Sequence, residues 1–142
     1  MEREEAVTPY SDTALLAALI YGEARGETLV GKISVACVVR NRVLNPKWWG
    51  RSWKEVILKR SQFSCMTPVD KNYDDVLGAL EGKFANEISY RECRWAAVGA
   101  VEGWYRDITK GANHYHTEAI LPHWAKGKLP TVHIGNHLFY TL

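Results

Sequence analysis

ALLAALIYGEARGE, residues 14–27, carries seven apolar residues into Tyr21 and Gly22, then sets Glu23 and Glu27 four residues apart. Ser11 or Asp12 can cap a helix over Thr13 to Ala24, with Gly26 as its stop. The apolar run buries this helix. A helix ending in solvent would account for the acids that follow. A helix ending at the floor of a cleft, one carboxyl turned inward, would account for them chemically.

Downstream, VGKISVACVVRNRVL predicts a second helix from Val30 to Leu44, ended by Asn45-Pro46. Ser52 and Glu55 form a capping box opening WKEVILKR. SQFSCMTPVD, broken by Pro68, is expected to be a short strand or hairpin. Asp74 to Gly82 is predicted helical with an acidic first turn that suits the helix dipole. Ser89 and Glu92 predict another capping box before YRECRWAAVGAVEGW, with Trp95, Val98 and Val101 along one side. Beyond Asp107, HYH and TVHIGNHLFYTL are rich in β-branched and aromatic residues, with Gly135-Asn136 as a turn. The chain therefore reads as α+β: one helical domain over residues 1–142 carrying a small antiparallel sheet, with residues 1–10 a loose arm.

The totals narrow the function. The chain has 142 residues, 46% hydrophobic and 24% charged, enough to bury a core without staples. Its net charge is only +2, without a block of five Lys/Arg, so a strong nucleic-acid footprint is missing. No apolar run approaches the ~18 residues of a membrane span. The acidic opening MEREEAVTPYSD has no apolar stretch and does not read as a secretory signal. Cys37, Cys65 and Cys93 are odd in number and lack a CxxC pair, so free buried thiols are expected. Six Trp and seven Tyr are many for this length and suit sugar-binding clefts as well as a core.

Held against apolar walls, Glu23 would be partly desolvated. That raises its pKa towards the operating pH, as a general acid requires. Gly22 and Gly26 would let a ligand approach the backbone closely. Glu27 is assigned a structural role, bonding backbone N–H groups that open the next helix at Val30.

YGEARGE followed by GKISVACVVRNRVLNP resembles the catalytic domain of the SleB-like cell-wall hydrolases, the family of the spore cortex-lytic enzyme. QFS at 62–64 and GANHYHTEAILPHWAKG...VHIGNHLFY from Gly111 to Tyr140 continue the match in the same order, over roughly Leu15 to Tyr140. The resemblance implies a lysozyme-like, transglycosylase-like core and cleavage of peptidoglycan between N-acetylmuramic acid and N-acetylglucosamine. It implies one essential Glu, which maps to Glu23, an anhydromuramic product, and no metal or cofactor. Gln62, Phe63 and Ser64 would form the cleft wall opposite Glu23, with Ser64 or a backbone group bonding the acid or an acetamido group. Tyr115 would orient Glu23 or stabilise charge at C1. His114 and His116 stand where the spore enzyme carries Tyr, although an HYH version also occurs in the family. If Tyr115 points one way, both histidines point the other.

A hydrolytic glycosidase would usually want a second carboxylate ~5–5.5 Å or ~6.5–9.5 Å away. Asp70, Asp74, Asp75 and Asp107 are available, without a motif to select one. A zinc hydrolase is the rival enzyme class, raised by HYH together with His123, His133 and His137, with His114 and His116 on one face of a strand. A non-catalytic glycan-binding module using Trp48, Trp49, Trp53, Trp104 and Trp124 is the rival outside enzymes. Arg40, Arg42, Arg51, Lys54, Lys59 and Arg60 would face acidic stem peptides rather than nucleic acid. A compact catalytic domain without a signal or wall-binding repeats resembles a phage endolysin, made in the cytoplasm and released to the wall by a holin. A monomer is expected, since no unassigned apolar stripe demands a partner.

Overall fold

The computed structural model describes Val7 and residues 9–142. Helices α1 Asp12–Ala24, α2 Leu29–Leu44, α3 Trp53–Leu58, α4 Tyr73–Leu80 and α5 Ile88–Glu102 are followed by strands β1 His114–Thr117, β2 Val132–Ile134 and β3 His137–Tyr140. Short 3₁₀ turns occupy Ser64–Met66 and His123–Ala125. The sheet order is β1-β3-β2 with both pairs antiparallel. Gly135 and Asn136 make the β2–β3 turn.

Helix α1 is the axis of the fold. Every residue from Leu15 to Gly22 is buried. A helix apolar on all sides has no solvent face and must be surrounded, and α1 packs against α2, α3, α4 and α5. Ser11 caps it, its side chain accepting from the Ala14 N–H at 3.1 Å. At the far end, the Ser89 hydroxyl donates to the Arg25 carbonyl at 2.7 Å. Arg25 also reaches Asp75 at 3.0 Å and Asn72 at 2.9 Å. The end of α1, and Glu23 with it, is thereby fixed to α4 and α5.

Gly22 is a packing residue rather than an opening for ligand. A Cβ there would meet Val76 Cγ2 at 2.8 Å and the Cys65 Cβ and Sγ at 2.9 Å. Gly22→Ala is therefore expected to cost about 1–3 kcal/mol through overpacking, read as a lowered denaturant midpoint. Gly26 is exposed and close to nothing.

Other expectations shift once tertiary contacts compete with local signals. The SQFSCMTPVD stretch forms turns around the 3₁₀ segment and no strand. The Met66 N–H bonds the Phe63 carbonyl at 3.0 Å and the Thr67 N–H the Ser64 carbonyl at 2.9 Å, so the backbone is satisfied locally and has no ladder to join. Helix α5 begins at Ile88, so Ser89 and Glu92 lie inside it and make no capping box. Ser89 serves the end of α1, while Glu92 holds the buried ammonium of Lys32 at 2.8 Å. The buried face of α5 is Tyr90, Cys93, Ala96, Ala97, Gly99 and Ala100. Small residues there let α5 approach α1 and α2 closely, and Trp95 is left 46% exposed. The arm is anchored where it is described: Val7 is in the core and Tyr10 packs on it. Residues 1–6 and Thr8 lie outside the described residues. All three cysteines are free and buried.

Candidate active site

Glu23 lies in the last turn of α1, where the central helix meets a cleft of about 510 Å³. Its carboxyl is half-buried at the cleft floor, open to the cavity on one side and densely walled on the others. Burial pushes its pKa up to about 7, the nearby negative charge of Asp70 adds to the rise, and Tyr115 opposes it. Such a carboxyl can give and take back a proton near neutrality.

The sheet supplies one wall. Alternation along β1 points Tyr115 inward, opposite Phe139 in the register, and turns His114 and His116 to the other face. The cleft wraps this edge strand, so all three side chains line it. Tyr115 packs against His137 with ring centroids 5.2 Å apart. Its fully buried hydroxyl neighbours the Glu23 carboxyl but does not close an ordinary hydrogen bond with it. Burial and the adjacent Glu23 hold the phenol well above its usual pKa, so it stays protonated as a donor. Tyr115→Phe removes that donor. The pKa of Glu23 is expected to rise and turnover to fall about tenfold, checked by the pH profile of the variant.

His116 is oriented at both nitrogens. Its Nδ1 is 2.7 Å from the Thr117 carbonyl, so it donates there, and its Nε2 then accepts from the Tyr140 hydroxyl at 2.9 Å. His114 bonds Asn113 at 2.8 Å and packs against Trp49 and Trp124. Burial, with Arg42 and Lys47 nearby, lowers its pKa to about 4. It is neutral at working pH. Among the described residues no three His, Cys, Asp or Glu side chains converge as a metal site.

Gln62 and Phe63 line the cleft together with Ser61. Ser64 is not brought to Glu23. It is exposed at the start of the 3₁₀ turn, whose geometry turns its side chain outward while Phe63 and Cys65 go in. Arg42, grouped by sequence with the basic surface residues, is in fact buried at the back of the cleft. Its Nε donates to the Asn113 carbonyl at 2.8 Å and its Nη1 to Gln62 Oε1 at 3.3 Å. The guanidinium also lies over Trp49 and Phe63. It joins α2, the Gln62 wall and the start of β1. The apolar company of Val39 and Val43 in VVRNRV was the only signal of its burial.

Glu27 is a strut, but to a different partner from the one expected. Thr28, whose hydroxyl accepts from the Gly31 N–H, caps α2. Glu27 instead accepts from the Asn136 backbone N–H at 3.0 Å and side-chain amide at 2.9 Å, gripping the β2–β3 turn. Burial would raise its pKa, but these two bonds and the nearby His137 hold it below the usual carboxylate range. Gly135 is required there: its φ is +58°, and a Cβ would fall 2.6 Å from Glu27 Oε1. His137, which the sequence offered only to the zinc reading, is buried between Glu27 and Tyr115, with its Nδ1 3.5 Å from Glu27. Trp48 and Trp124 complete the cleft, whereas Trp49 is buried behind it and Trp53 packs on the core.

Of the remaining carboxylates, Asp70 is near enough to act on Glu23 electrostatically and accepts from the Asn72 N–H at 2.8 Å. Asp75 is paired with Arg25, Asp74 is exposed, and Asp107 ties the 107–111 loop through Thr109 and Gly111. Among the described residues lining the cleft, Glu23 is the one carboxyl.

Comparison with known proteins agrees with this architecture. The chain is 38% identical over 137 residues to a spore cortex-lytic enzyme of Halalkalibacterium halodurans, covering 91% of this chain and 34% of that protein. It is 29% identical over 130 residues to the spore cortex-lytic enzyme of Bacillus subtilis, covering 91% of this chain and 37% of that protein. It thus spans about a third of the length of these relatives. The fold superposes on the catalytic domain of the germination-specific lytic transglycosylase SleB from Bacillus anthracis with a TM-score of 0.69 and 26% identity, covering 92% of this chain and 95% of that one. The helical body with a small antiparallel sheet is therefore the lysozyme-like fold of that domain. Residues 26–140 match the cell wall hydrolase family, a segment that begins just after Glu23 and includes every other cleft residue named above. On that match, the chain belongs to the cell wall hydrolase family.

Proposed function

We propose that this chain is a single catalytic domain that cleaves peptidoglycan glycan strands between N-acetylmuramic acid and N-acetylglucosamine, as a lytic transglycosylase acting through Glu23. The observation that carries the reading is a carboxyl with no second one among the described lining residues, poised near neutrality in a cleft walled by aromatic and polar side chains. Protonated Glu23 donates to the glycosidic oxygen as the C1–O bond breaks. The resulting carboxylate takes the proton of the muramic 6-hydroxyl, whose oxygen attacks C1 to form the 1,6-anhydro ring. The proton returns to Glu23 and no water is consumed. Tyr115 orients the acid, and His116 and Trp124 form the rim against which a sugar face can rest.

Mass spectrometry of fragments released from purified peptidoglycan tests this. Anhydromuramic ends are expected. Reducing muramic ends would make the enzyme a hydrolytic muramidase and turn attention to Asp70, whose field reaches Glu23. No release from any wall type would leave a glycan-binding module. Because the acid must be protonated in the free enzyme, kcat/KM is expected to fall about tenfold per pH unit above about 7. A flat profile between pH 6 and 9 would refute Glu23 as the acid.

Action at the wall is the family's. We read the chain as a monomer that reaches the wall through a holin pore, so lysis of expressing cells should require holin co-expression.

A further inference from the structure

A second concavity lies apart from the Glu23 cleft. A groove of about 600 Å³ runs along α5 and shares no lining residue with it. Its wall is Trp95 and Trp104, 46% and 54% exposed, with Ile88 and Leu29 beside them. These rings are fixed in place. Gly103, in the left-handed region at φ +77°, ends α5 and turns the chain back on itself. Trp104 and Tyr105 then lie directly on the helix at Gly99, where a Cβ would strike Tyr105 at 2.5 Å and Trp104 at 3.3 Å. The Tyr105 hydroxyl donates to the Ala96 carbonyl, and Trp95 stacks on Tyr105 with an interplanar angle of 20°. Trp104 meets Trp95 edge-on at 5.6 Å.

The charge beside this wall is one-sided. Arg91 and Arg94 line the groove, and among the described residues no carboxylate pairs with either. The one acid in the lining, Glu92, is neutralised by Lys32 at 2.8 Å. A ligand that matches must bring flat apolar faces to the indoles and carboxylates to the guanidiniums. Exposed apolar area of this kind marks a binding groove.

We propose that the α5 groove is a second binding site for peptidoglycan, in which pyranose faces rest on Trp95 and Trp104 and stem-peptide carboxylates pair with Arg91 and Arg94. The proposal rests on the wall-cleaving reading above. The groove would hold the enzyme on an insoluble polymer while the Glu23 cleft engages a strand, so it matters for intact sacculi and little for short fragments.

The test uses sacculus co-sedimentation in a Glu23→Gln background, where the polymer is not consumed. Trp104→Ala and the double variant Arg91→Gln/Arg94→Gln are each expected to weaken binding about tenfold. The arginine variant leaves the aromatic wall intact, so it carries the test if Trp104→Ala fails to fold. With Glu23 restored, the ratio of turnover on sacculi to turnover on short soluble glycans should drop by a similar factor. Unchanged affinity, or a loss on soluble glycans equal to that on sacculi, would overturn the groove and leave the Glu23 reading standing. A wild-type dimer that Trp104→Ala dissociates would also overturn it, by making the groove a contact between copies. Wild type that neither binds nor cleaves sacculi would end both proposals.

Discussion

Glu23→Gln is expected to lower fragment release from peptidoglycan by about 10³-fold or more, since among the described residues no other carboxyl lines the cleft to take over proton transfer. Gln keeps the shape of the side chain and loses the proton. A variant within tenfold of wild type, measured by initial release of soluble fragments, would sink the assignment. The same substitution carries a stability signature of opposite sign. Burial raises the folded-state pKa of Glu23 from 4.5 to about 7. The folded protein therefore holds a proton that the unfolded chain releases between those values. Stability contributed by the neutral acid is complete below about 4.5 and is lost as pH rises through about 7. Glu23→Gln never ionises and escapes that loss. At pH 8 it is expected to be about 1–3 kcal/mol more stable than wild type, the full shift being discounted for the open side of the carboxyl. The gain should vanish at pH 4. Lower activity with higher stability is the mark of a functional group kept in an unfavourable environment, and denaturant midpoints at the two pH values measure it.

Glu27→Ala is expected to lower stability by about 2–4 kcal/mol. Each charge-assisted bond to Asn136 is worth roughly 1.5–3 kcal/mol, and the exposed edge of the turn recovers part of that from water. Turnover should fall as well, because the Glu27 strut holds the turn leading into His137, and His137 packs against Tyr115. Glu27→Gln keeps one acceptor but presents its amide group to a donor, so it should lie between wild type and Ala. The folded pKa of Glu27 is depressed, so its contribution is present above the ordinary carboxylate range and is lost as pH falls through the lowered folded value. The stability gap between wild type and Glu27→Ala should accordingly narrow in acid. A gap that persists unchanged at pH 3 would show that the carboxylate charge is not what holds the turn.

Strong local signals carried much of the fold. The apolar run before Glu23, the Ser11 and Ser52 caps, the stop at Asn45-Pro46 and the Gly135-Asn136 turn all lie where chain-local chemistry puts them. The failures came where a local signal met a stronger distant partner. Ser89 and Glu92 have the spacing of a capping box, yet the Arg25 carbonyl and the buried Lys32 ammonium claim them. Trp95, Val98 and Val101 look like a core stripe, yet close helix packing selects alanine and glycine for the interior. Trp95 and Trp104 are left at the surface of the helix instead.

The sequence by itself determined the helix buried on all sides, the acid at its end, and the alternation that sends Tyr115 one way and His114 and His116 the other. These follow from backbone periodicity and capping, which act within a few residues. Only the tertiary structure decided that Arg42 is buried behind the cleft, that Glu27 grips Asn136 across the fold, and that Ser64 turns away while His137 turns in. Those outcomes depend on groups far apart in the chain being desolvated together. Their free energies exist only once the elements have packed.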